Sequence, residues 1–191
     1  VLVWLVWSFR DRRLRDFGVV VLPVVLLLIG VGLYSGPEVK MLPVTFRGIW
    51  LVLHVSFYFA AFATGLQSFG ASALHLVPES RLKGTRVPGR ADLDLIAFRA
   101  AGLAFSFWGV GLLTGAIWAY YSWGRFWGWD PVETWSLITW LLYGLYLHLR
   151  RFYGWKGQRA AVLLIVCYGL ALLSLFGTAL FTSTIHSEYF S

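Results

Sequence analysis

Charge is what this chain lacks most. Only 13% of its 191 residues are Asp, Glu, Lys or Arg, about half the share of an ordinary soluble domain. That scarcity excludes a water-soluble globule. An aromatic content of 18% excludes a disordered tail. There is a single cysteine, Cys167, so no intramolecular disulfide can form. No CxxCH occurs, so the chain is not itself a c-type cytochrome. Histidine is also sparse, at four residues: His54, His75, His148 and His186.

What is present is apolar and aromatic. Hydrophobic residues make up 59% of the chain. They fall into long runs that predict an all-α, polytopic transmembrane bundle forming one membrane domain over residues 1–191. Runs at 17–34, 49–77, 93–121, 135–149 and 160–182 give about five full spans, each near the 20 residues a bilayer requires. The chain opens on Val with an apolar stretch, 1–8, too short to span. It reads as the end of a helix whose start precedes it. It has neither the basic region nor the cleavage site of a secretory signal.

The basic residues are unevenly placed. Of 16 Lys and Arg, 13 lie in segments 9–16, 78–99 and 150–159, and only Lys40, Arg47 and Arg125 lie in the alternating segments. Basic loops remain on the cytoplasmic side. This predicts an outward placement for loop 35–48, the aromatic loop at about 122–135 and the C-terminal tail. Because the charges alternate with apolar spans, a nucleic-acid surface fits badly, and no nucleic-acid partner is expected.

The aromatic loop reads WGRFWGWDPVETW over 123–135, and six of the eleven Trp lie between Trp118 and Trp140. An interfacial belt places one or two Trp at each helix end. Six on one loop and its flanks suggest a flat apolar platform for a planar ligand. The loop ends in a helix start, with Asp130 at the N-cap, Pro131 at N1 and Glu133 at N3. Capping alone accounts for both acids. His54 and His186 fall near the outer face and bracket this loop. Two imidazoles with stackable walls suit haem, although an interfacial role is the ordinary one for either. His148 lies 17 residues after Pro131, about 25 Å along a helix. That sets it inside the bilayer toward the cytoplasmic side, where a polar residue is costly and marks function. His75 lies at a similar depth and reads as an interfacial polar residue.

The stretch WGRFWGWDPVETWSLITWLLYGLYLHLR (123–150) resembles the tryptophan-rich WWD domain of haem-handling membrane proteins. It is most similar to the CcsA (ResC) family of the system II cytochrome c synthetase, and the likeness extends from about Arg10 to His186. The resemblance implies haem b as substrate and ligand, with His54 (WLVLHV) and His186 (TSTIHS) on the iron at the outer face. It implies a second, transmembrane haem site at His148, whose opposing ligand comes from a CcsB-type partner subunit. Trp123, Trp127, Trp129, Asp130 and Trp135 would cradle the outer haem. The family's usual basic residue after the DP pair is Val132 here, which leaves Arg125 as the substitute for a propionate contact. The implied activity is attachment of haem through thioethers to the CxxCH of apocytochrome c, with Asp130 or Glu133 as the available base. The implied setting is the lipid bilayer of a bacterial inner or thylakoid-type membrane. Two other readings are a haem exporter that hands haem to a carrier without ligation, and a haem-b electron-transfer or scaffold subunit.

Overall fold

The computed structural model describes residues 48–85 and 87–177, and among these every regular element is helical. Helix α1 is Ile49–Leu76, α2 is the single turn Glu79–Leu82, α3 is Arg90–Trp123, α4 is Pro131–Phe152 and α5 is Gln158–Leu172. A π-helical turn, Leu173–Gly177, continues α5. The apolar run 17–34 and His186 lie outside the described residues.

Local chemistry sets the helix ends. Pro78 forces Val77 into an extended conformation (ψ 134°) and stops α1. Gly124 ends α3 in the left-handed region (φ 73°), with its amide donating to the Tyr120 carbonyl at 2.9 Å. Helix α4 starts at Pro131, after Asp130. Among the described residues, three helices are long and apolar enough to cross a membrane: Ile49–Leu76, Arg90–Trp123 and Gln158–Phe176. At 34 residues, α3 is about 51 Å long and outreaches the hydrocarbon layer. Helix α4 has 22 residues, about 33 Å, but its tyrosines, hydroxyls and terminal arginines make it the more polar helix.

Helices α1 and α3 run antiparallel and share the most extensive packing in the bundle, while α5 also lies against α1. The buried faces of both helices consist largely of small residues. On α1 these include Ala61, Thr64, Ser68, Ala71 and Ser72, and on α3 Ala97, Ala101, Ala104 and Gly111, while Gly65 of α1 faces Tyr143 of α4 and Tyr168 of α5. Lipid supplies no hydrophobic drive for helices to associate, so close backbone approach has to supply it through packing. Large apolar side chains such as Phe59, Leu113, Leu141 and Val166 are exposed on the outside, as a lipid-facing surface requires.

Polar ties join the helices within this apolar bundle. The Trp108 indole on α3 donates to the Ser136 carbonyl at 3.1 Å and to its hydroxyl at 3.0 Å on α4. The Tyr58 hydroxyl on α1 hydrogen-bonds the same Ser136 hydroxyl. The Trp140 indole donates to the Phe105 carbonyl at 3.1 Å, and its ring stacks on Phe105. Buried Thr64, Thr114 and Thr139 return their hydroxyls to carbonyls of their own helices.

Gly111 provides the test of this packing. A Cβ there would come within 2.7 Å of the Tyr58 ring. Gly111→Val is expected to push α1 away from α3, at a cost of about 1–3 kcal/mol, and to lower the melting temperature in detergent. An unchanged melting temperature would exclude the α1–α3 contact as drawn.

Candidate functional site

The antiparallel α1 and α3 bring the start of one to the end of the other, and His54 sits at that end beside the aromatic loop. Its ring is half-buried against α3. Nδ1 lies 2.9 Å from the Gly111 carbonyl, which can only accept, so Nδ1 carries the proton. In the neutral ring Nε2 then holds the lone pair. A ligating histidine is commonly fixed in this way, by a carbonyl on its other nitrogen. Space for the ring comes from Gly115, where a Cβ would collide with the imidazole. The Tyr58 ring meets His54 edge-on at 4.8 Å. The Trp118 ring lies nearly parallel to it at 6.1 Å and 16°.

Aromatic contact continues from His54 toward the loop. Trp118 is buried and meets Trp123, the last residue of α3, at 4.9 Å. Within the loop Trp127 and Trp129 meet edge to face at 5.9 Å. Trp129 is 71% exposed and holds φ at 57°. A non-glycine residue in that region costs about 1–3 kcal/mol and persists only where its neighbours impose it. Glu133 imposes it here: its Oε2 accepts from the Gly128 amide at 2.8 Å and from the Asp130 amide at 3.2 Å, one on each side of Trp129. The Arg125 guanidinium lies over Gly128, where a Cβ would strike it. Asp130 is buried at the start of α4, and Trp135 is half-buried on its first turn.

Of the sequence-predicted residues, the structure brings His54, Trp123 and the 124–130 loop to one end. His148 lies far along α4, exposed on the outside of the bundle, with its ring 4.7 Å from Phe152 and 5.8 Å from Tyr153. His75 is buried at that second end, its Nδ1 donating to the Arg90 carbonyl at 3.1 Å. His186 lies outside the described residues. Among the described residues no three His, Cys, Asp or Glu converge as a site for a bare metal ion.

Sequence reasoning missed two groups. One is the Tyr58–Ser136–Trp108 tie behind His54. The other is Asp94 on α3, which takes Arg150 of α4 in a two-point ion pair at 2.7 and 2.5 Å and also accepts the Gly157 amide at 3.1 Å. A lone acid inside an apolar run was the available signal for Asp94.

Glu133→Ala removes two charge-assisted hydrogen bonds, each worth about 1.5–3 kcal/mol. It should loosen the loop without unfolding the bundle. The expected result is faster proteolysis at 124–130 and altered Trp fluorescence, with helicity retained. A loop equally protected in the variant would remove Glu133 as its clamp.

Comparison with known proteins matches residues 1–186 to the family described as Cytochrome C assembly protein. The chain is 34% identical over 192 residues to the cytochrome c biogenesis protein CcsA of Chlamydomonas reinhardtii, covering 96% of this chain and 54% of that one. It is 38% identical over 118 residues to CcsA of Synechococcus elongatus, covering 62% of this chain and 36% of that one. It is 30% identical over 218 residues to CcsA of Prochlorococcus marinus strain NATL1A, covering 94% and 69%. The chain spans about half the length of the Chlamydomonas relative. With apolar helices long enough to span a bilayer and a family match over nearly its whole length, the chain belongs to the CcsA/ResC cytochrome c biogenesis proteins, a membrane protein family.

Proposed function

We propose that this chain is the haem-presenting part of a system II cytochrome c synthetase, with haem b as its cargo and substrate. One observation carries the reading: the His54 Nδ1 bond to the Gly111 carbonyl, set beside the Trp118–Trp123 rings that lead to the loop. That bond directs the Nε2 lone pair to ligation, and the indoles offer flat apolar walls. Both suit an iron porphyrin.

Each role is assigned from the family resemblance together with these placements. His54 would supply one axial nitrogen at the outer face, and His186, which lies outside the described residues, the other. Trp123, Trp127, Trp129 and Trp135 hold the ring by its faces and leave a vinyl edge open. Arg125, close over Gly128 in the loop, neutralises a propionate. Glu133 shapes the loop through its two amide bonds, and Asp130, buried at the start of α4, is the carboxylate assigned to thiol deprotonation. The protein positions the reactants, and haem supplies the chemistry. Each thiol of the apocytochrome CxxCH adds its sulfur and hydrogen across one vinyl double bond, so forming the thioether consumes no oxidant. Fixing thiol and vinyl together converts a bimolecular encounter into an intramolecular one. One of the two axial histidines leaves as the cytochrome's own histidine binds.

The 13 to 3 distribution of Lys and Arg supports an outward loop and C-terminus, with about five spans in a bacterial inner or thylakoid-type membrane. His148 is exposed on α4, where a CcsB-type partner can offer the opposing ligand. It then serves as the transmembrane haem site that haem passes on its way outward.

The test is the absorption spectrum of the full-length protein purified with its partner, oxidised and dithionite-reduced, with a pyridine haemochrome. His54→Ala and His186→Ala are each expected to reduce the outer haem signal and to stop thioether formation on a CxxCH peptide. Intact haem loading and cytochrome maturation in both variants would overturn the ligand assignment.

A further inference from the structure

His148 and Arg150 are two positions apart on α4, and at 3.6 residues per turn they point about 200° away from each other. Arg150 is turned inward. Its Nη1 donates to Asp94 Oδ1 at 2.7 Å and its Nη2 to Asp94 Oδ2 at 2.5 Å. Its guanidinium carbon sits 4.9 Å from the centre of the Phe98 ring, and Nη1 also reaches the Trp155 carbonyl at 3.4 Å. The same Asp94 oxygen that takes Nη1 accepts the Gly157 amide at 3.1 Å. One carboxylate on α3 therefore fixes both the last turn of α4 and the bend into α5. The pair is well shielded, with side-chain exposures of 9% for Arg150 and 17% for Asp94.

His148 is turned outward. It shares its face with Ile138, Leu141, Leu145 and Phe152, all exposed. Parallel two-point contact between guanidinium and carboxylate fixes orientation as well as distance. Rotation of α4 about its axis would break both hydrogen bonds and leave two shielded charges unpaired, which is strongly unfavourable. The inward lock of Arg150 is thus an outward lock of His148.

We infer that Asp94, acting through Arg150, is a positioning residue that sets the rotation of α4 and so presents His148 on the face where it takes up haem. The inference rests on the reading of His148 as a haem ligand. It gives Asp94 a part in haem capture that a simple fold pin would not have.

The experiment titrates haem into the full-length protein assembled with its partner, reading the Soret band and the electron paramagnetic resonance of the low-spin ferric haem. Asp94→Asn is expected to weaken the His148-dependent haem by about 10–100-fold, the usual effect of losing a group that orients a ligand. The His54-dependent haem should keep its affinity and serve as the internal measure of folding. Added imidazole should restore the low-spin signal. Arg150→Lys keeps the charge and the fold but loses the two-point contact, and it should shift affinity in the same direction. Asp94→Glu should recover part of the loss. Wild-type affinity and signal at the His148 site in both Asp94→Asn and Arg150→Lys would overturn the inference while the haem-ligand reading stood. Loss of both haems in step in both variants would also overturn it, since that is a defect of the whole bundle. If His148→Ala kept both haem signals, the ligand reading would fall and the inference with it.

Discussion

The close approach of α1 to α3 is the constraint on which the rest depends. In an apolar solvent helices gain little by hiding apolar side chains from one another, so contact depends on how near the backbones can come. Small residues along both helices make that approach possible. Gly111 and Gly115 then admit the rings of Tyr58 and His54. The His54 hydrogen bond to the Gly111 carbonyl exists only because no side chain stands between them. The chemistry of the candidate site is thus a product of helix packing, and the tautomer of one histidine is settled by two glycines.

The remaining polar groups divide between two ends. At the loop end, backbone amides are gathered by Glu133, and the Trp129 indole is left exposed. At the opposite end, ionic groups are gathered by Asp94 and turned inward. Between them lie hydroxyls and indoles that satisfy one another locally, as at Ser136 and Trp108. Trp108, Trp140, Thr64 and Thr139 are tolerated in the apolar interior because each donates to a carbonyl close by.

Much of this was legible in the residues. The apolar run 49–77 became Ile49–Leu76, and the Asp130-Pro131-Glu133 sequence marked the true start of α4. The run 93–121 became the longer Arg90–Trp123. The helix starts three residues before that run, and Asp94 inside it is matched by Arg150 from another helix. Pairings of that kind are set by three-dimensional packing, and no local spacing encodes them. The Tyr58–Ser136–Trp108 tie was invisible for the same reason. The left-handed backbone at Trp129 was hidden differently, since tryptophan has no preference for that region and only the Glu133 clamp imposes it.

Helix α4 is held to its neighbours near both extremities by side-chain chemistry, through Ser136 to Trp108 and Tyr58 near its start and through Arg150 to Asp94 near its end. In mechanical language it is a shaft keyed at each end. It cannot twist at one key without loading the other, so the tryptophan loop and the face bearing His148 form parts of a single rigid member about 33 Å long. Evolutionary change in either half is therefore answerable to the other. A residue inserted between Ser136 and Arg150 would offset the two keys by about 100°, so the length of α4 between them is fixed by its neighbours.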